Sequence, residues 1–238
     1  MTIAPGPSRG LDPGGAQPGC VRQRVHGLYV IADPACLGAR PLGTAVEQAL
    51  RGGARIVQYR DKDADARERY RRAAELARLC NRHAVPFIVN DDPRLASDVG
   101  AQGVHLGRDD GEAAYARAIL GPDAIIGISC YNEFERAMRA VDAGADYVAF
   151  GSVFPSRTKP RAVRASHDLL RRARSELGVA VVAIGGIKPE NGATLIEAGA
   201  DALAVIAGVF GEADVCAAAS AYARLFPGWR REPVSGSP

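Results

Sequence analysis

The sequence predicts an α/β fold, a single (β/α)8 TIM barrel with disordered N- and C-terminal tails, and three observations carry that expectation. Short apolar strand-like runs alternate with helix-like segments through residues 26–226. A Gly-Ala-x step recurs at Gly53-Ala54-Arg55, Gly100-Ala101-Gln102, Gly144-Ala145-Asp146 and Gly199-Ala200-Asp201, each time closing a helix and opening a strand. Glycine is the residue that a helix C-terminus favours. These steps open the second, fourth, sixth and eighth strands, so the repeated unit is two strands and two helices, which suits a closed ring better than an open sheet. An open doubly wound sheet would carry a Gly-rich dinucleotide loop after its first strand, and Ala32-Asp33-Pro34-Ala35 is not one.

The elements follow in order. Residues 28–32 form a first strand, and residues 44–51 a first helix with Thr44 as its N-cap. A second strand over 55–60 leads to a long helix over 65–82, with Ala73, Leu76, Ala77 and Cys80 on one face. Pro86 introduces a third strand over 87–89, and the fourth covers 103–106. The remaining strands are read at 124–129, 147–150, 179–184 and 202–206, and further helices at 133–143, 167–177, 193–198 and 215–225. Residues 1–25, rich in Gly, Pro and Ala, and residues 227–238 are expected to be disordered tails on one barrel domain.

Composition narrows the function classes. A chain of 238 residues with 47% apolar and 24% charged residues is ordinary for a soluble globular protein. Its net charge of +3, with both signs interspersed, argues against nucleic acid or membrane as a partner. Five scattered cysteines without a Cys-x-x-Cys suit a reducing, cytoplasmic compartment. No apolar run approaches the ~20 residues that span a bilayer, and the first 19 residues lack a signal-peptide apolar core.

In a barrel, chemistry collects at the C-terminal ends of the strands. After the sixth strand, Phe150 to Pro160 offers Ser156, Arg157, Thr158 and Lys159, either an anion clamp or a solvated polar turn. The second strand closes with Gln58, Arg60 and Lys62, which an extended backbone points to one side. A cationic row facing the axis is costly unless it meets an anion, and the alternative is that Lys62 has already left the strand. Asn90-Asp91-Asp92 and Gly107-Arg108-Asp109-Asp110 close the third and fourth strands. Their carboxylates can share a hard divalent cation, or they serve as turn and helix-capping residues. Ser129 closes the fifth strand, Gly185-Gly186 the seventh and Ala207-Gly208 the eighth. Such glycines let backbone N–H groups approach a phosphate, or only make a tight turn. Together these strand ends predict two anion pockets on one rim, with Lys159 between them, and therefore two phosphorylated substrates.

The combination resembles the thiamine-phosphate synthase (thiamine-phosphate pyrophosphorylase) family over roughly residues 27–212. Gln58-Tyr59-Arg60-Asp61-Lys62 resembles the family's Q-x-R-x-K, which holds the pyrophosphate of the pyrimidine substrate. Asn90 and Asp91 resemble its N-D pair, with Asn90 on that substrate and Asp91 on Mg2+. Asp110 resembles the second Mg2+ ligand, and Ser129 the serine that contacts the pyrimidine. Ser156, Arg157 and Thr158 resemble the clamp on the thiazole phosphate, Lys159 the lysine on pyrophosphate, and Gly186 the glycine on the thiazole phosphate. Three positions depart from the pattern. Ser156 stands where threonine is usual and keeps the hydroxyl, and Arg108 stands where glutamine is frequent. Ile206-Ala207 stands where an aliphatic residue precedes serine, so weaker thiazole-phosphate binding is expected there.

The resemblance implies Mg2+-dependent condensation of 4-amino-2-methyl-5-(diphosphooxymethyl)pyrimidine with 4-methyl-5-(2-phosphooxyethyl)thiazole, giving thiamine phosphate and pyrophosphate. It implies small-molecule partners and is compatible with a homo-oligomer. Arg60, Lys62, Ser129 and Lys159 would carry the chemistry, by a dissociative path through a pyrimidine cation. No Ser-His or Cys-His nucleophile is required or evident; His105 reads as a hydrogen-bonded core residue and Cys130 as a bystander. A thiazole tautomerase on the same barrel would lack much of this pyrophosphate and metal set. A non-catalytic carrier of phosphorylated thiazole would keep the Ser156/Gly186 pocket without two carboxylates. A Schiff-base aldolase would need a lysine within an apolar strand.

Overall fold

The computed structural model describes residues 24–107, 113–155 and 164–228. Eight parallel strands close into a barrel in the order of the chain. They are β1 (Gly27–Ala32), β2 (Ala54–Tyr59), β3 (Phe87–Asn90), β4 (Gly103–Leu106), β5 (Ile125–Tyr131), β6 (Tyr147–Gly151), β7 (Ala180–Ile184) and β8 (Ala202–Val205). The ring is sealed where Gly27 pairs with Ala202 and Val30 with Val205. The described helices are α1 (Leu42–Arg51), α2 (Ala66–Arg82), α3 (Pro93–Asp98), α4 (Ala113–Leu120), α5 (Phe134–Asp142), α6 (His167–Glu176), α7 (Pro189–Glu197), α8 (Ala207–Phe210) and α9 (Val215–Ala223). None of them is long and apolar enough to cross a membrane.

Strand alternation divides the apolar residues into two cores. One parity fills the barrel interior: Tyr29, Ile56, Ile88, Ile125, Tyr147, Val182 and Ala204 are among its members. The other parity packs outward against the helices, with Leu28, Val57, Phe87, Val104, Val148 and Leu203 meeting residues such as Val46, Leu76 and Leu170. Val25, just before β1, is buried with the interior set.

The four repeat glycines all take positive φ, from +68° at Gly100 to +101° at Gly199. In the last three repeats the residue two places on then clasps the preceding strand. Gln102 donates its N–H to the Phe87 carbonyl (3.0 Å) and accepts the Phe87 N–H on its side chain (2.9 Å). Asp146 does the same with Ile126 (2.8 and 2.7 Å), and Asp201 with Val181 (2.8 and 2.9 Å). Arg117 in α4 and Arg174 in α6 neutralise these two carboxylates at 2.6 and 2.7 Å.

Three details differ from the sequence expectation. Helix α1 begins at Leu42 with Pro41 as its N-cap, so Thr44 lies inside the first turn and caps nothing. Proline presets a backbone angle that suits a helix start and removes one orphan donor. Helix α7 begins four residues earlier than its apolar period suggests, because the Asn191 side chain accepts the Lys188 N–H at 2.8 Å and fixes the start. Helices α3 and α8 are too short, at 6 and 4 residues, to show a period of 3.6.

Candidate active site

The second strand delivers its residues by parity. Gln58 points inward, is 2% exposed, and donates to the Tyr29 hydroxyl at 2.7 Å. Arg60 follows the strand, tied by its N–H to the Ala32 carbonyl at 3.0 Å, and its guanidinium pairs with Asp33. Lys62 lies 3.5 Å from the Asp91 carboxylate. The cationic row thus meets carboxylates from the ends of β1 and β3, which offsets the cost of bringing two cations to the rim.

Tyr59 and Asp61, of opposite parity, stand on the helix side instead. Tyr59 is packed into the outer core and donates to Asp61 at 2.9 Å, and Arg72 of α2 reaches the same carboxylate at 2.7 Å. Burial raises the Asp61 pKa, but the Arg72 bond and the Ala64 amide outweigh it and hold the carboxyl below its usual range. Burial, with Asp61 beside it, pushes the Tyr59 phenol up. These two residues brace the stretch that carries Gln58, Arg60 and Lys62 and are not brought to the rim with them.

Asn90 ends β3 in register with His105 of β4. Asp91 then takes φ +66°, with its N–H donating to the His105 carbonyl at 2.8 Å. A left-handed non-glycine residue costs about 1 to 3 kcal/mol, and such strain concentrates where a side chain must be aimed. Asp92 is a helix cap, accepting the Leu95 N–H at 2.9 Å.

Ser129 of β5 sits 2.9 Å from His105 Nε2, and the backbone carbonyl of Ser129 accepts from Arg136 at 2.7 Å. His105 is therefore the hydrogen-bonded interior residue expected from its place in the strand, and its Nδ1 lies 2.9 Å from the Tyr147 hydroxyl. Cys130 is buried among apolar residues, and burial raises its thiol to about 12.

At the other side of the rim, Gly185 and Gly186 have φ +109° and +65°. A Cβ on Gly186 would lie 2.7 Å from the Phe154 carbonyl oxygen, so the glycine lets the loop after β7 pack onto the loop after β6. Phe154 N–H donates to the Gly185 carbonyl at 3.0 Å, fixing the start of the Phe150 to Pro160 segment. Ile206 is the N-cap of α8, and Ala207, its first residue, is exposed. Asp110, with Arg108 and Asp109, and Ser156, Arg157, Thr158 and Lys159 lie outside the described residues.

Among the described residues no group of three His, Cys, Asp or Glu is arranged to hold a metal. Mg2+ needs only one or two carboxylates when phosphate and water complete its shell, and Asp91 is a rim carboxylate of that kind. Three residues that strand-end reasoning passed over bear on this site: Asp33 at the rim, paired with Arg60, and Tyr29 and Tyr147 inside the barrel, hydrogen-bonded to Gln58 and His105. Asp33 was readable as the residue closing the first strand; Tyr29 and Tyr147 look in sequence like ordinary core aromatics.

Comparison with known proteins agrees in direction. A family model described as Thiamine monophosphate synthase matches residues 28–209. A Thiamine-phosphate synthase of Nitrosococcus oceani is 55% identical over 205 residues, covering 86% of this chain and 94% of its own. A Thiamine-phosphate synthase of Chromobacterium violaceum is 55% identical over 203 residues, covering 85% and 97%. Among solved structures, a thiamine phosphate pyrophosphorylase from Pyrococcus furiosus superposes with a TM-score of 0.77 at 36% identity, over 86% of this chain and 96% of that one.

Proposed function

The chain belongs to the thiamine monophosphate synthase family, and from that membership we propose the reaction and the division of labour at its rim. The protein is a thiamine-phosphate synthase, a transferase of thiamine biosynthesis. It joins the pyrimidine diphosphate to the thiazole phosphate and releases pyrophosphate. The observation that carries the division of labour is the convergence of Gln58, Arg60, Lys62, Asn90, Asp91 and Ser129 at one end of the barrel.

The bond that breaks joins the pyrimidine methylene to the pyrophosphate oxygen, so negative charge grows on the leaving group. Arg60, Lys62 and Lys159 neutralise that charge, Arg60 by a planar fork and the lysines as point charges. Mg2+, when bound through Asp91 and Asp110, supplies further charge neutralisation on the diphosphate. Asn90 and Ser129 hold the pyrimidine while its ring stabilises the methylene cation. The thiazole nitrogen attacks with its free lone pair, and no proton has to be removed from it. Ser156, Arg157, Thr158 and the backbone at Gly186, Ile206 and Ala207 hold the thiazole phosphate. The Lys62–Asp91 pair supports this arrangement, since each partner is already at the place where phosphate and cation would meet. The free thiols at Cys36, Cys80 and Cys130 support a cytoplasmic setting.

A coupling assay with both substrates, with and without Mg2+, tests the reading through the appearance of thiamine phosphate. Asp91→Ala is expected to abolish the Mg2+-dependent turnover while thiazole-phosphate binding stays within a few-fold. Full activity in that variant would remove Asp91 from the metal site.

A further inference from the structure

A continuous hydrogen-bonded chain crosses the barrel interior. It runs from Gln58 Nε2 to the Tyr29 hydroxyl (2.7 Å), on to the Tyr147 hydroxyl (2.8 Å), to His105 Nδ1 (2.9 Å), and from His105 Nε2 to Ser129 Oγ (2.9 Å). Five strands, β2, β1, β6, β4 and β5, contribute one residue each. The two tyrosines are 1% and 0% exposed, Gln58 is 2% and His105 9%. Among the described residues the one buried side-chain nitrogen or oxygen without a partner is Arg69 Nε, so every member of the chain is satisfied.

Proton counting gives the chain a direction. The Gln58 amide donates to Tyr29, so the Tyr29 proton has only Tyr147 to go to. The Tyr147 proton then goes to His105 Nδ1, which must be the bare nitrogen. His105 therefore carries its proton on Nε2 and donates it to Ser129 Oγ. Any other assignment leaves a buried hydroxyl proton unpaired, at a cost of about 1 to 3 kcal/mol. Burial pushes both phenols above their usual range, which keeps them protonated and able to donate. Ser129 lies at the half-buried end, and its own proton is left to point away from the chain.

The space for this chain is built into the backbone. A Cβ on Gly127, two residues before Ser129, would overlap the Tyr147 ring. The Tyr147 and His105 rings stack at 5.6 Å between centroids, and the Tyr29 and Tyr147 rings meet edge to face at 6.0 Å.

We infer that Tyr29, Tyr147 and His105 are positioning residues: through one fixed histidine tautomer they make Ser129 a hydrogen-bond donor to the pyrimidine substrate, with the sense set by Gln58. The inference rests on the reading of Ser129 as a pyrimidine contact. A serine so held has its proton free for an acceptor atom, a ring nitrogen or a diphosphate oxygen. Turning the Gln58 amide over would reverse every bond and leave Ser129 an acceptor toward substrate.

The test uses the full chain with 15N-labelled histidine, His105 being assigned by its absence from a His105→Asn spectrum. The expected result is a protonated Nε2 and a bare Nδ1 on His105; a protonated Nδ1 overturns the inference. In Tyr147→Phe the two tautomers are expected to mix and kcat to fall about tenfold, the effect of one lost buried hydrogen bond. The KM for the thiazole phosphate should stay within about twofold, since the chain ends on the pyrimidine side. Tyr147→Phe combined with Ser129→Ala should lose no more than Ser129→Ala alone, because the tyrosine acts through the serine. Losses that multiply in the double variant overturn the inference. If Tyr147→Phe does not fold, Tyr29→Phe, which removes the bond that orients Tyr147, takes its place in the cycle. If the wild-type chain does not condense the two substrates, the assigned function fails, while the histidine spectrum still decides the tautomer.

Discussion

At the scale of single residues, side-chain parity separates the working residues of the second strand from the bracing ones. Gln58 faces the interior and Tyr59 the helices, and beyond the strand Arg60 and Asp61 keep to opposite sides. Arg60→Ala is therefore expected to lower kcat/KM for the pyrimidine diphosphate at least a hundredfold, about 3 kcal/mol of lost charge stabilisation, in a steady-state assay. Asp61→Ala should instead loosen α2 through Arg72 and lower thermal stability, with a smaller effect on KM. Burial raises the thiols of Cys80 and Cys130 to about 12, so both are protonated at pH 8. Neither should react with iodoacetamide until the protein unfolds, and mass spectrometry of the native protein checks this. Much of this scale was legible: the polar residues closing the strands are unusual for their positions, and alternation assigns their sides. The interior tyrosines were not, because tyrosine is as common in apolar packing as in hydrogen-bonded chains, and only the three-dimensional meeting of β1 and β6 with β4 tells them apart.

At the scale of elements, the Gly-Ala-x step was visible as a repeat, and its glycine could be read as a helix terminator. The work of its third residue could not, since it depends on a strand 15 to 20 residues upstream. Asp146 satisfies the first free N–H region of β5 and is itself neutralised by Arg117. Asp146→Ala is expected to destabilise the fold by about 2 kcal/mol, the loss of a charge-assisted hydrogen bond, measured as a shift in urea midpoint. Because it lies at the end of the barrel away from Ser129, KM values should not change. Arg55 occupies the same place in the first repeat without a carboxylate or amide to offer, and its stem instead packs beneath Gly27. Helix boundaries were the weakest part of the sequence reading, and α1 and α7 show the reason. Pro41 fixes one helix start by its preset backbone angle and Asn191 the other by a local hydrogen bond, and apolar periodicity reports neither.

At the scale of the whole molecule, stability and chemistry are placed in different parts of the barrel. The two cores lie along and around the strands, whereas Asp91, the described carboxylate proposed for Mg2+, follows β3 at one end. Chelation with EDTA is accordingly expected to remove turnover while moving the thermal midpoint by no more than about a degree, read by circular dichroism. The clasps made by Gln102, Asp146 and Asp201 add a temporal consequence. Each ties a strand to the one just before it, so three of the seams are closed by short loops of chain at small entropic cost. The seam between Gly27 and Ala202 has no such economy, for its two sides are separated by nearly the whole barrel sequence. The first strand of a growing chain must wait for the eighth. In pulsed hydrogen exchange during refolding, the Ile126 and Val181 amides should gain protection before that of Gly27, which makes ring closure the last event of assembly.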